Sequence, residues 1–175
     1  MRPQFWPVTM LALAILSYGP RGSLAAATAI DFKNASYPNG ACGPVTLSGG
    51  SEQHAANSAD GPTISTELDE VHTGKLGTHD AAVVELRCGG PGGYASSSAD
   101  VYLTDRGRLT FLGSVAESDS FAPELRVRFA SPFLYVDVSE HPELAGANVK
   151  WKVTTYRLNG KKLVTVNVLE HIRKN

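Results

Sequence analysis

No hydrophobic run in this chain is long enough to cross a bilayer. The most apolar stretch, residues 10–16, is soon broken by Gly19 and Pro20 and falls short of roughly 30 Å of hydrocarbon. Charge of one sign is equally scarce: 16 Lys and Arg stand against 17 Asp and Glu, a net of −1, with no basic block. That removes the electrostatic case for nucleic acid or an anionic membrane surface as partner. Cysteine is limited to Cys42 and Cys88. No histidine lies at ligand spacing from either, which speaks against a thiolate metal site. No long stretch carries the 3.6-residue apolar period of a helix, although 115–122 and 139–146 leave room for a turn of one. There is no internal repeat.

What the chain does have begins at residues 1–29, which read as a secretory signal peptide. Arg2 gives a positive start, residues 10–16 an apolar centre, and small residues follow, with cleavage after Ala27 or Ala29 fitting the A-x-A pattern. The leader holds two basic residues and no acidic ones, so the mature chain stays slightly negative. The protein is expected outside the cytoplasm: secreted, periplasmic or at the cell envelope. Residues 30–175 make one secreted, β-rich domain, large enough to bury roughly two-thirds of its unfolded surface. In an oxidising compartment Cys42 and Cys88 have one possible pairing, with two free buried thiols as the alternative. Neither cysteine follows the cleavage site directly, so no residue is placed to take a lipid anchor.

Strand signals fill the rest. Residues 30–32 and 45–47 are strand-like within a Gly/Ser/Asn/Pro-rich start, and 48–61 reads as a polar loop. Residues 64–71 fit a strand or a helical turn. Ala81, Ala82, Val83, Val84 and Leu86 form an apolar run bounded by glycines, as in a buried strand. The low-complexity stretch 89–98 (GGPGGYASSS) reads as a mobile surface loop. Asp105-Arg106-Gly107 signals a hairpin between 101–104 and 109–115. Leu125, Val127 and Phe129 alternate with Glu124, Arg126 and Arg128, the period of a half-buried strand, and 133–138 follows as another. Asn159-Gly160 is the strongest turn signal. A two-residue loop there sets Leu158 against Lys161, and then Thr155 against Val164, Val153 against Val166 and Trp151 against Val168 on one apolar face. These segments predict a mainly β fold, an antiparallel sandwich or small barrel of about 7–9 short strands. The alternative is an α+β fold with one short helix.

No catalytic constellation assembles. His54, His72, His79, His141 and His171 are scattered, and no pair shares a credible helix face. His72 and His79 flank two glycines near Asp69, Glu70 and Asp80, so a small His/carboxylate cluster is conceivable, but spacing supplies no metal site and no cofactor. The glycine-rich Ser48-Gly49-Gly50-Ser51 lacks the strand–turn–helix setting of a nucleophile elbow. Asp100, Asp105, Glu117, Asp119, Asp137 and Glu140 lie at apparent strand ends or turns, where acids sit solvated, and no pair stands out for glycoside chemistry. The aromatics Tyr102, Phe111, Phe129, Phe133, Tyr135, Trp151 and Tyr156 fall at strand period and read as core. Asn34-Ala35-Ser36 is the one N-glycosylation acceptor.

The segment DEVHTGKLGTHDAAVVELRC at residues 69–88 resembles a pattern in a group of small exported proteins of bacteria, mainly actinobacteria. In that group an acidic turn akin to the calcium loop of FG-GAP repeats precedes a strand ending in cysteine. The opening DFKNASYPNGAC and the closing TTYRLNGKKLV are similar to that group's first and last strands. The resemblance implies export and a Cys42–Cys88 bridge, and it carries no known activity. It does not extend to calcium: Lys75 and His79 stand where carboxylates belong, and a lysine among oxygen ligands repels a hard cation.

The expectation is therefore an exported, non-enzymatic module that binds an extracellular or envelope partner through residues 89–98 and 72–80, with Tyr94, His72, His79 and Asp80 as candidate contacts. The alternatives are a small secreted hydrolase with a dispersed active site and an inhibitor of an extracellular enzyme.

Overall fold

The computed structural model describes residues 29–55, 63–90, 95–118, 124–139 and 149–173; residues 1–28 of the expected leader lie outside them. A 3₁₀ turn at Phe32–Asn34 precedes eleven strands among the described residues. They are β1 (Ser36–Gly40), β2 (Gly43–Thr46), β3 (Ser51–Ala55), β4 (Thr63–Leu76), β5 (His79–Gly89), β6 (Ala95–Asp105), β7 (Arg108–Ser118), β8 (Leu125–Ala130), β9 (Phe133–Ser139), β10 (Val149–Asn159) and β11 (Lys162–Arg173). All pairings are antiparallel. They make a five-stranded sheet β3-β4-β5-β6-β7, a four-stranded sheet β11-β10-β9-β8 and the β1-β2 hairpin. The mainly β expectation holds. The result is an unclosed sandwich, not a barrel, and its strands outnumber those expected.

The five-stranded sheet is covered on both faces. Ala82, Val84, Leu86 and Tyr102 point to the β1-β2 hairpin and pack with Tyr37, Val45 and Leu47. Ala81, Val83, Ala99 and Val101 point the other way, toward Leu134 and Val136 of the four-stranded sheet. This double burial explains the uninterrupted apolar run of β5, since a strand with two dry faces has no polar alternation to show. At its margins the four-stranded sheet lies with β8 over β4 and β11 over β7. Gly74 permits the first of these approaches: a Cβ there would fall 2.4 Å from the Phe129 ring.

The disulfide forms between Cys42, in the β1-β2 turn, and Cys88 at the end of β5, with Cα atoms 5.9 Å apart. Beside it the Ser96 hydroxyl donates to the Ala41 carbonyl at 3.0 Å. Together they clasp the hairpin to the central sheet. The turn of β6-β7 has positive φ at both Arg106 (46°) and Gly107 (78°), the requirement of a type I′ turn.

Several expectations need correction. Residues 48–61 contain β3, which pairs with β4. The 89–98 stretch is not a loop throughout: β6 begins at Ala95, and Ser96 and Ser98 are buried against its neighbours. Small serines fit there because the disulfide and hairpin crowd that face. Residues 30–32 enter a 3₁₀ turn, capped by Asp31, whose carboxylate accepts from the Lys33 amide. The C-terminal hairpin exists in a later register, with Asn159 opposite Lys162, Arg157 opposite Val164 and, beyond a bulge, Trp151 opposite His171. Gly160 (φ 61°) is thus the first of the two turn residues, the position where a type II′ turn needs a glycine.

Candidate functional site

The polar residues that converge lie on β4 and β5. A bulge between Leu68 and Glu70 inserts Asp69 into β4, so Glu70 comes directly opposite Glu85 while His72 sits opposite Val83. Alternation then puts Glu70, His72 and Glu85 on one face of the sheet. His72 Nε2 lies 2.8 Å from Glu85 Oε1, and its Nδ1 lies 3.7 Å from Glu70 Oε1. The His72 and Glu85 side chains are 21% and 18% exposed and Glu70 is 64% exposed, so the cluster has a dry floor and an open rim. Burial, first, pushes the Glu85 carboxyl above its usual range. The hydrogen bond and charge of His72 pull it back, and Glu70 and Asp69 push it up again. Arg87 is engaged by Asp69 at 2.5 Å.

The other expected contacts are elsewhere. His79 closes the β4-β5 turn opposite Leu76. It is four strand positions from the level of His72, roughly 13 Å along the ladder. Asp80 pairs with Lys75 at 2.6 Å, in the open. His72 is therefore a strand residue and not part of a loop with His79 and Asp80. Tyr94 lies outside the described residues, as do Asp119, Glu140 and His141.

Two cavities bear on catalysis. One, lined by Asp69, Glu85, Ser97 and Leu125 among others, has room of about 20 Å³. That is space for about one water, far below the few hundred Å³ of a ligand pocket. The second, about 230 Å³, lies among Ile30, Phe32, Thr73, Asp80, Thr104 and Arg106, where the lining offers neither histidine nor serine. Neither lining pairs a histidine with a serine.

Asp100 was placed among solvated acids by its sequence setting, and the structure corrects this. It sits mid-strand in β6, 0% exposed, with Oδ1 accepting from the Ser114 hydroxyl at 2.6 Å. Burial raises its carboxyl to about 6, and the charge of Glu117 adds to this against hydrogen bonding from Ser114.

The aromatics divide. Tyr37, Tyr102 and Phe111 pack together as core, with ring centroids 5.8 and 5.6 Å apart. Phe133 and Tyr135 lie on the outer face of the four-stranded sheet, with Arg128 stacked 4.0 Å above Tyr135. Trp151 shares that face, buried beneath Arg126.

Among the described residues the largest apolar exposure is on β11, the edge of the four-stranded sheet. Val166 is 47% exposed, Val168 44%, Leu169 59% and Ile172 62%. Val168 and Ile172 share the sandwich-side face with Val136, while Leu169 stands beside Val153 on the outer face. The sequence pattern placed Val166 and Val168 on a buried face. The later register and the bulge move them to the rim.

No family model, no curated protein and no solved structure matches the chain. No helix among the described residues is long and apolar enough to cross a membrane.

Proposed function

We propose that this chain is an exported, non-catalytic binding module that takes an extended segment of another polypeptide along the outer edge of β11. The observation behind this reading is the apolar exposure of that strand. Natural sheets protect an edge with lysine, proline, a short strand or cover. β11 runs for twelve residues, and from Leu163 to Leu169 it carries no charge, no proline and no glycine. Its main chain pairs on one side with β10 and, among the described residues, with nothing on the other. A strand added there gains main-chain hydrogen bonds and apolar contact on both faces, the mode of β-augmentation. The Cys42–Cys88 bridge supports an oxidising compartment. The small size of the Asp69/Glu85 cavity weighs against the hydrolase alternative.

The test is an anisotropy titration of the mature chain with a labelled peptide of residues 162–173, used as a surrogate apolar strand. Saturable binding is expected, weakened about tenfold or more by Val168→Lys with Ile172→Lys, a change of at least 1.4 kcal/mol. Methylating the peptide's backbone nitrogens abolishes it. Binding indifferent to both changes refutes strand addition. A chain that sediments as a dimer through this edge makes the partner a second copy and overturns the heterotypic reading.

A further inference from the structure

We propose that Glu70, His72 and Glu85 form a binding site for a first-row transition-metal dication of the zinc class. They are the one group of three such side chains, among the described residues, whose ligand atoms all fall within 4.8 Å of one another. The register carries the argument. Glu70 and Glu85 face each other directly across β4 and β5, and like charges so placed repel. The bulge at Asp69 creates this opposition; without it Glu70 would turn to the other face. A positive centre between the two carboxylates relieves the repulsion, and the Arg87 guanidinium on β5 is already held by Asp69.

The donor set indicates which cation. One imidazole with two carboxylates suits zinc and its neighbours, whereas calcium and magnesium favour oxygen alone. Ligand atoms in a tetrahedral zinc site, with bonds of about 2.0–2.2 Å, lie roughly 3.3 Å apart. The present 2.8 Å between His72 Nε2 and Glu85 Oε1 needs to open by about half an ångström on that geometry. Glu85 also borders the one-water cavity, which leaves its carboxylate space to back away. Glu70, on the open rim, closes the third position by a rotamer change, and water completes the shell. The cation takes the place of the hydrogen between His72 and Glu85, and a neutral imidazole that binds through Nε2 keeps its one proton on Nδ1.

The experiment is calorimetric titration of zinc into the untagged, oxidised mature chain. One site per chain is expected. His72→Gln and Glu85→Gln should each weaken it about tenfold or more, with His79→Ala and His171→Ala as unaffected controls. Nitrogen-15 spectra of the wild-type histidine rings give a reading independent of any variant's folding: His72 shifts with zinc while His79 and His171 stay put. No saturable site up to millimolar zinc, affinity unchanged in His72→Gln, or a shift at another histidine instead, each overturns the proposal.

Discussion

Asp100→Asn isolates the cost of a buried charge. Asp100 is fully enclosed in β6, and its carboxyl stands at about 6 in place of the usual 3.8 because burial disfavours the ionised form. Each unit corresponds to about 1.4 kcal/mol, so this shift is worth roughly 3 kcal/mol. The folded state holds the proton more tightly than the unfolded one. Well below pH 4 both states are protonated, and the group has no effect on stability. As pH rises from about 4 to about 6 the unfolded chain ionises first, and stability falls. Above that range the full penalty is present. The amide cannot ionise, yet its oxygen still accepts from Ser114. Urea unfolding of wild type and variant between pH 4 and pH 8 should therefore show a difference that grows by about 2 kcal/mol or more in the variant's favour as pH rises. Any fixed cost of seating the amide moves the whole curve and not its slope. A difference that stays flat across this range refutes the reasoning.

Two further perturbations test the layers. Gly74→Ala drives a methyl group into the Phe129 ring, which β8 holds against β4. Thermal or urea unfolding should show a loss of about 1–3 kcal/mol, as overpacking does, and wild-type stability would mean that β8 does not lie there. Replacing Cys42 and Cys88 together by alanine removes a cross-link between residues 46 apart, which the chain-entropy relation values at about 4 kcal/mol. The same unfolding curves measure that loss, and a double variant as stable as wild type contradicts a bridged native state.

Much of the fold was legible because strand period and turn chemistry are local. Leu125, Val127 and Phe129 alternate, and all three pack inward. The turn at Arg106-Gly107 needs positive φ, and the sequence supplies it at a glycine. Cys42 and Cys88 had only each other. The failures are just as physical. The Asn159-Gly160 signal marked the right hairpin but not its register, because a bulge near Thr155 and a glycine that leads the turn both depend on neighbouring strands. β3 is polar, and its pairing with β4 is invisible from composition. The serines of 95–98 resemble a linker until the β1-β2 hairpin is laid over them. His72 carried a sequence signal; its partner Glu85 showed only as one acid inside an apolar run. Their meeting depends on the bulge at Asp69, a tertiary choice with no local mark.

The overlay of β1-β2 on the central sheet orders events during synthesis. Strands β4 to β7 each pair with the one made just before, so that sheet grows as a ribbon whose contacts are near in sequence. The hairpin made before them has no such neighbour. Tyr37 and Val45 rest on Leu86 and Tyr102, and the Ala41 carbonyl waits for Ser96, 55 positions downstream. Until β6 emerges, the first-born strands keep their aromatic and aliphatic side chains in water. For an interval the amino-terminal end is thus the stickiest part of the nascent polypeptide, and an escort protein would have most to shield there.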